Sequence, residues 1–376
     1  MKLTPRVFGA LVLATVVFFY GTTSQVAWLF LLGYSLYALV AAAFLYALWN
    51  SRGVRARLAF IGADPGPHSP LDALPEAWLR TAPRPRPVFE GDRVRLALEL
   101  RSLGRARGPA RWSGWVAGKE VSAAAGLVPA AGWRVERGVG PVRRGGVASE
   151  GWRLEAGDPL GMFRVETRFE PAAVTLALPR FATLSLRPRV RELEASLAAP
   201  RAGAGNELFG VREYRLGDPL RRIHWRSSAR RGELVVREYE PPGQQLLTML
   251  LDPDPPSPEV ADQIARLAAS EAWDCLRAGG RVLAWAPGLE PTTPAEARSL
   301  WAILEWLARY PAALEPADTD PPPSAEAVAL LGSAQAGVLE ALAAAGRRGA
   351  EARAWLIGFQ ADVGVPARSV ELAWPL

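Results

Sequence analysis

The chain holds few side chains able to do covalent or metal chemistry. Of its 376 residues only His68 and His224 are histidine and only Cys275 is cysteine. No intrachain disulfide is possible, and a zinc site built from Cys and His is excluded. Neither histidine lies in a nucleophile-elbow setting, so a histidine-dependent triad has no visible frame. Polar chemistry of another kind is concentrated between Asn206 and Glu240. There Arg221, Arg222, Arg226, Arg230 and Arg231 alternate with Ile223, Trp225 and Ala229, and Glu207, Glu213, Glu233, Glu238 and Glu240 bracket them. Opposite charges this dense suit a bidentate arginine–carboxylate network. The motif reads equally as a docking face for a partner or anionic ligand and as a strut joining two folded units. Acidic residues interrupt the basic run, which argues against a nucleic-acid surface. His224 reads as a packed or hydrogen-bonded residue rather than a catalytic base, and Cys275 as a small buried hydrophobe in a helix.

The formal charge of +6 suits nucleic acid or anionic lipid as a partner, and reads at least as well as structural ion pairing. Lys2 and Lys119 are the only lysines, so nearly all the cations are arginine. Arginine is the better residue for bidentate pairs and for packing its stem on aromatics. A hydrophobic content of 49% suits a soluble protein with a small membrane part and excludes general disorder.

The membrane part is N-terminal. Val7 to Tyr20 is an apolar run of roughly 21 Å as helix, short of a hydrocarbon core of about 30 Å. Thr4, Pro5 and Gly21 to Thr23 extend it, with Lys2 and Arg6 reaching back to the interface. Val26 to Trp49 is almost unbroken apolar sequence of roughly 36 Å, which spans with some tilt. Spans at about 5–22 and 26–49 are expected, inside a hairpin covering 1–52. Tyr20 and Trp28 suit one interfacial belt, and Tyr46 and Trp49 the other. Lys2, Arg6, Arg52, Arg55 and Arg57 flank one end, while the loop Gly21 to Gln25 carries no charge. Under the positive-inside rule both termini and the soluble domains are cytoplasmic, at an inner (cytoplasmic) membrane. A cleaved signal peptide is the rival reading, and Gly21 to Ser24 is its one weak cleavage candidate.

The soluble part divides in two. From 54 to 190 short, near-alternating apolar runs are punctuated by Gly and Pro, as in an antiparallel β-sandwich-like domain. Arg93 to Leu100 alternates most cleanly, after the turn signal Glu90-Gly91-Asp92. Val135 to Val139, Gly151 to Leu154, Phe163 to Phe169 and Val174 to Leu178 are further strand candidates. A Pro-rich insertion is expected at 62–87, with a short helix around Leu74 to Leu79. From 243 to 376 strand and helix alternate, which indicates a three-layer α/β domain. Gln245 to Asp252 reads as a buried parallel strand ending in a carboxylate. Ser257 to Leu276 is a helix with Pro258 in its first turn. Gly280 to Trp285 is a second strand, Pro294 to Ala308 a second helix, and Ala352 to Phe359 another strand. Ala325 to Ala345 reads as alanine-rich helix broken near Gly332.

At the arginine motif the sequence resembles the domain of unknown function 58 family. The resemblance rests on Gly217, Asp218, Pro219, Arg222, Ile223, Trp225, Ala229 and Arg230, then Gly232, Leu234, Val236, Arg237 and Glu240, within a signature segment at 200–242. Asp158-Pro159-Leu160-Gly161-Met162-Phe163 is similar to that family's Asp-Pro-x-Gly-x-Phe turn. What the resemblance implies is a membrane-anchored protein without established enzymatic activity, ending in a von Willebrand factor A-like domain. It further implies a MoxR-type AAA+ ATPase as partner, and sometimes a transglutaminase-like membrane protein. In von Willebrand A domains the first strand ends in Asp-x-Ser-x-Ser, which holds Mg²⁺ through oxygen donors. The matching positions here are Asp252, Asp254 and Pro256, with Ser257 one step late. Pro256 offers no side-chain oxygen, so the Mg²⁺ site is degenerate and Asp252 and Asp254 read better as a strand-ending turn. The resulting expectation is a cytoplasm-facing, non-enzymatic scaffold or adaptor. Its docking residues are Asp218, Arg221, Arg222, His224, Trp225, Arg226, Arg230 and Glu240. A membrane-linked enzyme of cell-envelope metabolism and a purely structural membrane protein are the rival readings.

Overall fold

The structure is a computed structural model that describes residues 1–72, 74–84, 86–169, 175–184, 208–213, 225, 228, 230, 232–239 and 246–372. Contacts divide it into two units, Met1–Arg180 and Phe181–Leu376.

The first unit begins with a two-residue strand, β1 (Lys2–Leu3), followed by helices α1 (Pro5–Ser24) and α2 (Ala27–Gly53). Pro5 sits at the start of α1, where its missing N–H would have had no helical partner. Gln25, in the left-handed conformation, ends α1 and turns the chain. Both helices run a few residues past the expected spans, and both are long and apolar enough to cross a membrane. A core helix of a soluble protein would be mostly buried, whereas Phe8, Val12, Val16, Phe19, Trp28, Leu31 and Leu45 all stand outward. The helices meet through small residues: Ala14 and Gly21 on α1, and Gly33, Ala43 and Ala47 on α2, are buried. A Cβ at Gly33 would lie 3.3 Å from the Cα of Phe18, so the backbones approach as closely as glycine permits. Thr15 and Tyr37 share a hydrogen bond of 2.8 Å across the pair.

The β domain follows without a linker. Its strands are β2 (Val54–Asp64), β3 (Val88–Phe89), β4 (Arg93–Ser102), β5 (Ala110–Val116), β6 (Lys119–Ala125), β7 (Trp133–Val139), β8 (Gly145–Val147), β9 (Ser149–Gly157), β10 (Phe163–Arg168) and β11 (Thr175–Leu178). They form sheets of order β1-β10-β9-β5-β6, β2-β4-β7 and β3-β11-β8. Pairing is antiparallel except between β3 and β11, which are parallel. The expected sandwich core is present: Leu96, Leu98 and Leu100 of β4 share one cluster with Trp112 of β5 and Trp152 of β9. Trp112 and Trp152 lie 5.2 Å apart, and Phe169 stacks on Trp112 at 5.7 Å. Gly114 makes room for this, since a Cβ there would fall 2.3 Å from the Trp152 ring.

The Pro-rich insertion starts later than expected. Residues 62 to 64 stay in β2, which bulges between Phe60 and Gly62 and then keeps its pairing with β4. A bulge adds one residue without ending the ladder, so Gly62 marks a kink rather than a strand end. The short helix α3 spans Glu76–Arg80, one turn around the expected place.

In the second unit, strands β12 (Leu208–Glu213) and β13 (Val235–Tyr239) pair antiparallel. The rest is an α/β domain: β14 (Leu246–Leu251), α4 (Pro258–Arg277), β15 (Arg281–Trp285), α5 (Leu300–Arg309), β16 (Glu326–Leu331), α6 (Ala336–Arg347), β17 (Glu351–Ile357) and β18 (Ala367–Val370). The five strands are all parallel, in the order β15-β14-β16-β17-β18. Ser257 caps α4 by accepting the Val260 N–H, and α4 is buried along nearly its whole length. Residues 181–184, expected within the β domain, belong to this unit, while the expected boundary at 190 lies outside the described residues. Phe181 packs on Trp273, and Ser270 and Asp274 of α4 accept the N–H groups of Ala182 and Leu184.

One expected helix is a strand. Ala325 to Ala345 divides into β16, buried at every position, and α6, with Gly332 between them. A strand covered on both faces shows a continuous apolar run, which periodicity cannot separate from a buried helix. The second helix also starts at Leu300 instead of Pro294, where Ser299 supplies the cap. Strand β18 carries no apolar alternation and was not expected.

Candidate functional site

Three places hold the residues singled out by the sequence. The first is the turn Asp158–Phe163, which roots the hairpin in the β domain. Asp158 is fully buried, and its carboxylate accepts the N–H groups of Leu160 at 2.9 Å and Phe163 at 2.6 Å. The turn thus fixed offers its carbonyls outward. Thr4 donates its N–H to Met162 and its hydroxyl to Gly161, while Arg6 donates to Leu160. Met162 and Phe163 pack against Val7, Val40, Ala43 and Ala47, and the Phe44 and Phe163 rings meet edge to face. Lys2 and Leu3 extend this anchorage by pairing with Arg164 and Phe163. Lys2 also forms a 2.6 Å ion pair with Glu166. The hydrogen bond from Lys2 holds the Glu166 carboxyl below the ordinary glutamate range. At the base of α2, buried Asn50 donates to the carbonyls of Pro109 and Gly157, and Tyr46 donates to that of Gly108. The hairpin is therefore built into the β domain and is no loose tether.

The second place is the arginine motif. Strands β12 and β13 bring its two ends together, with Glu213 opposite Val235. Asp218, Arg221, Arg222, His224, Arg226 and Glu240 lie outside the described residues. Trp225, Ser228 and Arg230 are helical, and Gly232, in the left-handed region, donates its N–H to the Ser228 carbonyl. Trp225 is 67% exposed and Arg230 is exposed, whereas Ser228 is buried.

The third is the carboxyl end of β14, where the strand order reverses between β14 and β16. Open α/β sheets bind ligands at such a switch point. Here that point is occupied by the chain itself. Asp252 is fully buried, and one carboxylate oxygen accepts the Asp254 N–H at 3.0 Å. The other oxygen accepts the Gly332 N–H at 3.0 Å and both the N–H and hydroxyl of Ser333 at 2.9 Å. Tyr310 donates its hydroxyl to the Asp252 carbonyl. A Cβ at Gly332 would lie 2.4 Å from Val260 and 3.0 Å from Pro256, so those side chains pack against the turn. Sequence reasoning missed Gly332, Ser333 and Tyr310. The first two become legible once 326–331 is taken as a strand ending in Leu-Gly-Ser.

These donors do not fit Mg²⁺. A carboxylate has about four lone-pair sites, and Asp252 accepts four hydrogen bonds. Ser257 uses its hydroxyl oxygen to cap α4, Asp254 is exposed, and Pro256 has no donor atom. Among the described residues no three His, Cys, Asp or Glu side chains gather. His68 stands exposed in a surface turn, and Cys275 is buried, with its thiol 3.6 Å from the Arg281 carbonyl.

Residues 210–299 match the model of a family described as protein of unknown function DUF58. Over 130 residues the chain is 26% identical to the uncharacterized protein YeaD of Bacillus subtilis (strain 168), a stretch that covers 34% of this chain. It spans about a third, 32%, of that relative's own length. The DUF58 match begins in β12, takes in the arginine motif, β14, α4 and β15, and ends at Ser299, the cap of α5. It thus includes both exposed Trp225 and buried Asp252.

Proposed function

We propose that this DUF58 protein is a membrane-anchored adaptor without enzymatic activity, facing the cytoplasm from an inner membrane. The observation that carries the reading is the rooting of both ends of the hairpin in one β domain. Pairing of β1 with β10, and of Asn50 with Pro109 and Gly157, keeps the N-terminal segment and the β domain on the same side of the bilayer. The cationic flank at Lys2, Arg6, Arg52, Arg55 and Arg57 supports the cytoplasm as that side under the positive-inside rule. A cleaved signal peptide fits poorly, because removing α1 would also remove β1 from its sheet.

The docking face is the arginine motif, held at its base by β12 and β13. An indole exposed beside arginines suits a binding hot spot, and a fold strut would bury it. The family resemblance supplies the partner class, a MoxR-type AAA+ ATPase, and also the description of the C-terminal α/β unit as von Willebrand factor A-like. The Asp252 turn in that unit is architectural. Capture from gently solubilised membranes tests the reading. Trp225→Ala, with its fold verified by circular dichroism, weakens binding of the ATPase by about 2 kcal/mol, roughly thirtyfold. Equal capture by wild type and variant contradicts the assignment of the face.

A further inference from the structure

Among the described residues of the β domain, four large hydrophobics stand out to solvent: Leu103 (54% exposed), Trp115 (49%), Leu127 (60%) and Leu160 (44%). Their distribution is uneven. Trp115 sits beside the β5–β6 turn, at the opposite end of β5 from Ala110. The three leucines lie on three separate loops, and each loop touches the root of the hairpin. The Leu160 carbonyl accepts from Arg6. The Leu103 N–H donates to the carbonyl of Gly53, the last residue of α2. Leu127 adjoins Gly108, where an added Cβ would come 3.0 Å from the Leu127 Cα, and the Gly108 carbonyl accepts the Tyr46 hydroxyl.

The register of the hairpin gives these loops a depth. Thr15 lies opposite Tyr37, so nine residues farther along each helix Arg6 lies opposite Tyr46. That level is where the apolar stretch of α1 ends, and aromatic and cationic side chains prefer the boundary between hydrocarbon and water. Leu127 and Leu160 therefore stand at the boundary itself. Leu103, at the level of Gly53, is about 10 Å farther out along α2. Around them the rim is cationic. Arg52, Arg55 and Arg105 are exposed, and Arg107 stacks on Trp49 at 3.7 Å. Segments 1–6, 50–57, 103–111, 126–130 and 157–163 contain one carboxylate, Asp158, which is buried and held by backbone N–H groups. Guanidinium groups bind phosphate through charge-assisted hydrogen bonds, and an apolar residue on an interfacial element sits about 5–10 Å into the headgroup boundary.

We propose that the hairpin-proximal rim of the β domain is a second membrane-contact surface, with Leu127 and Leu160 inserted in the lipid interface. The occupant is the bilayer, because the surface is continuous with helices whose outward faces are apolar and because its charge complements lipid phosphate. The domain then lies on the membrane and the hairpin fixes its orientation. The proposal rests on the membrane reading above, and the test separates the two.

The full chain, carrying Cys275→Ala, is reconstituted in nanodiscs of equal parts phosphatidylcholine and phosphatidylglycerol. Single nitroxide labels are placed at Leu13→Cys on the outer face of α1, and at Trp115→Cys, Leu127→Cys and Leu160→Cys. Power-saturation spectroscopy compares access to oxygen with access to a water-soluble nickel complex. The expected result is strong oxygen access at Leu13, water access at Trp115, and an intermediate, lipid-interface ratio at Leu127 and Leu160. Water access at both leucine sites equal to that at Trp115, with Leu13 in lipid, overturns the rim and spares the anchor. Shielding of both leucine sites from oxygen and nickel alike reports a protein on the rim and overturns the proposal too. Water access at Leu13 defeats the membrane reading itself, and the rim with it.

Discussion

Asp252→Ala is expected to destabilise the C-terminal unit by about 4 kcal/mol. The substitution leaves the N–H groups of Asp254, Gly332 and Ser333 and the Ser333 hydroxyl without their shared acceptor. An orphaned buried donor costs about 1–3 kcal/mol, and donors facing a carboxylate lie toward the upper end. Water entering beside exposed Asp254 and half-buried Ser333 limits the sum. Asp252→Asn keeps one acceptor oxygen, so it loses roughly half as much. The readout is the denaturant midpoint of the unit, followed by hydrogen exchange in β14 and β16 peptides, because a chain of two units need not unfold in one step. Added Mg²⁺ should leave wild type and variants unchanged. Stabilisation of the wild type alone by Mg²⁺ would mean that Asp252 is a ligand after all.

A loss of similar size is expected at Arg353. This residue of β17 donates to Glu326 of β16 and to Glu271 of α4, each at 2.8 Å, and both carboxylates are nearly fully buried. The indole of Trp355 donates to the other Glu271 oxygen, also at 2.8 Å. The guanidinium therefore joins two strands of the sheet to the helix that covers them. Arg353→Ala takes the shared guanidinium away from two buried carboxylates. Breaking a buried pair by removing one partner typically costs about 3–5 kcal/mol. Adding Glu271→Gln and Glu326→Gln to Arg353→Met removes the two buried negative charges while filling most of the space, so it should recover more than half of the loss. The same denaturant midpoints measure both. No recovery would show that arginine packing, and not charge pairing, holds α4 on the sheet.

Several of these features were visible in the residues alone, and the reasons others were not are physical. The alternation of Arg93 to Leu100 showed a strand because β4 presents alternate side chains to the Trp112–Trp152 core. The run Glu326 to Leu331 hid β16 because a central parallel strand buries both faces and carries no alternation. Lys2 and Leu3 form a strand only because the Asp158 turn presents Phe163 and Arg164 to them, a pairing across more than 150 residues of sequence. The same distance hid the role of that turn. Its resemblance to a family motif was visible, while its use as the socket of the hairpin needed the fold. Asp252 was singled out as a strand-ending carboxylate, but its partners lie on the loop after β16, which sequence spacing does not place beside it. In the arginine motif the exposure of Trp225 adds an observation that composition alone leaves open.

The most direct measurement is the side of the membrane on which each part lies. In the Cys275→Ala background, Ser24→Cys at the hairpin turn and Arg230→Cys in the arginine motif are exposed to a membrane-impermeant maleimide in intact cells. Ser24→Cys should label once the outer envelope admits the reagent, and Arg230→Cys only after the inner membrane is opened. Labelling of Arg230→Cys with the inner membrane sealed would place the soluble units outside and contradict a cytoplasm-facing adaptor.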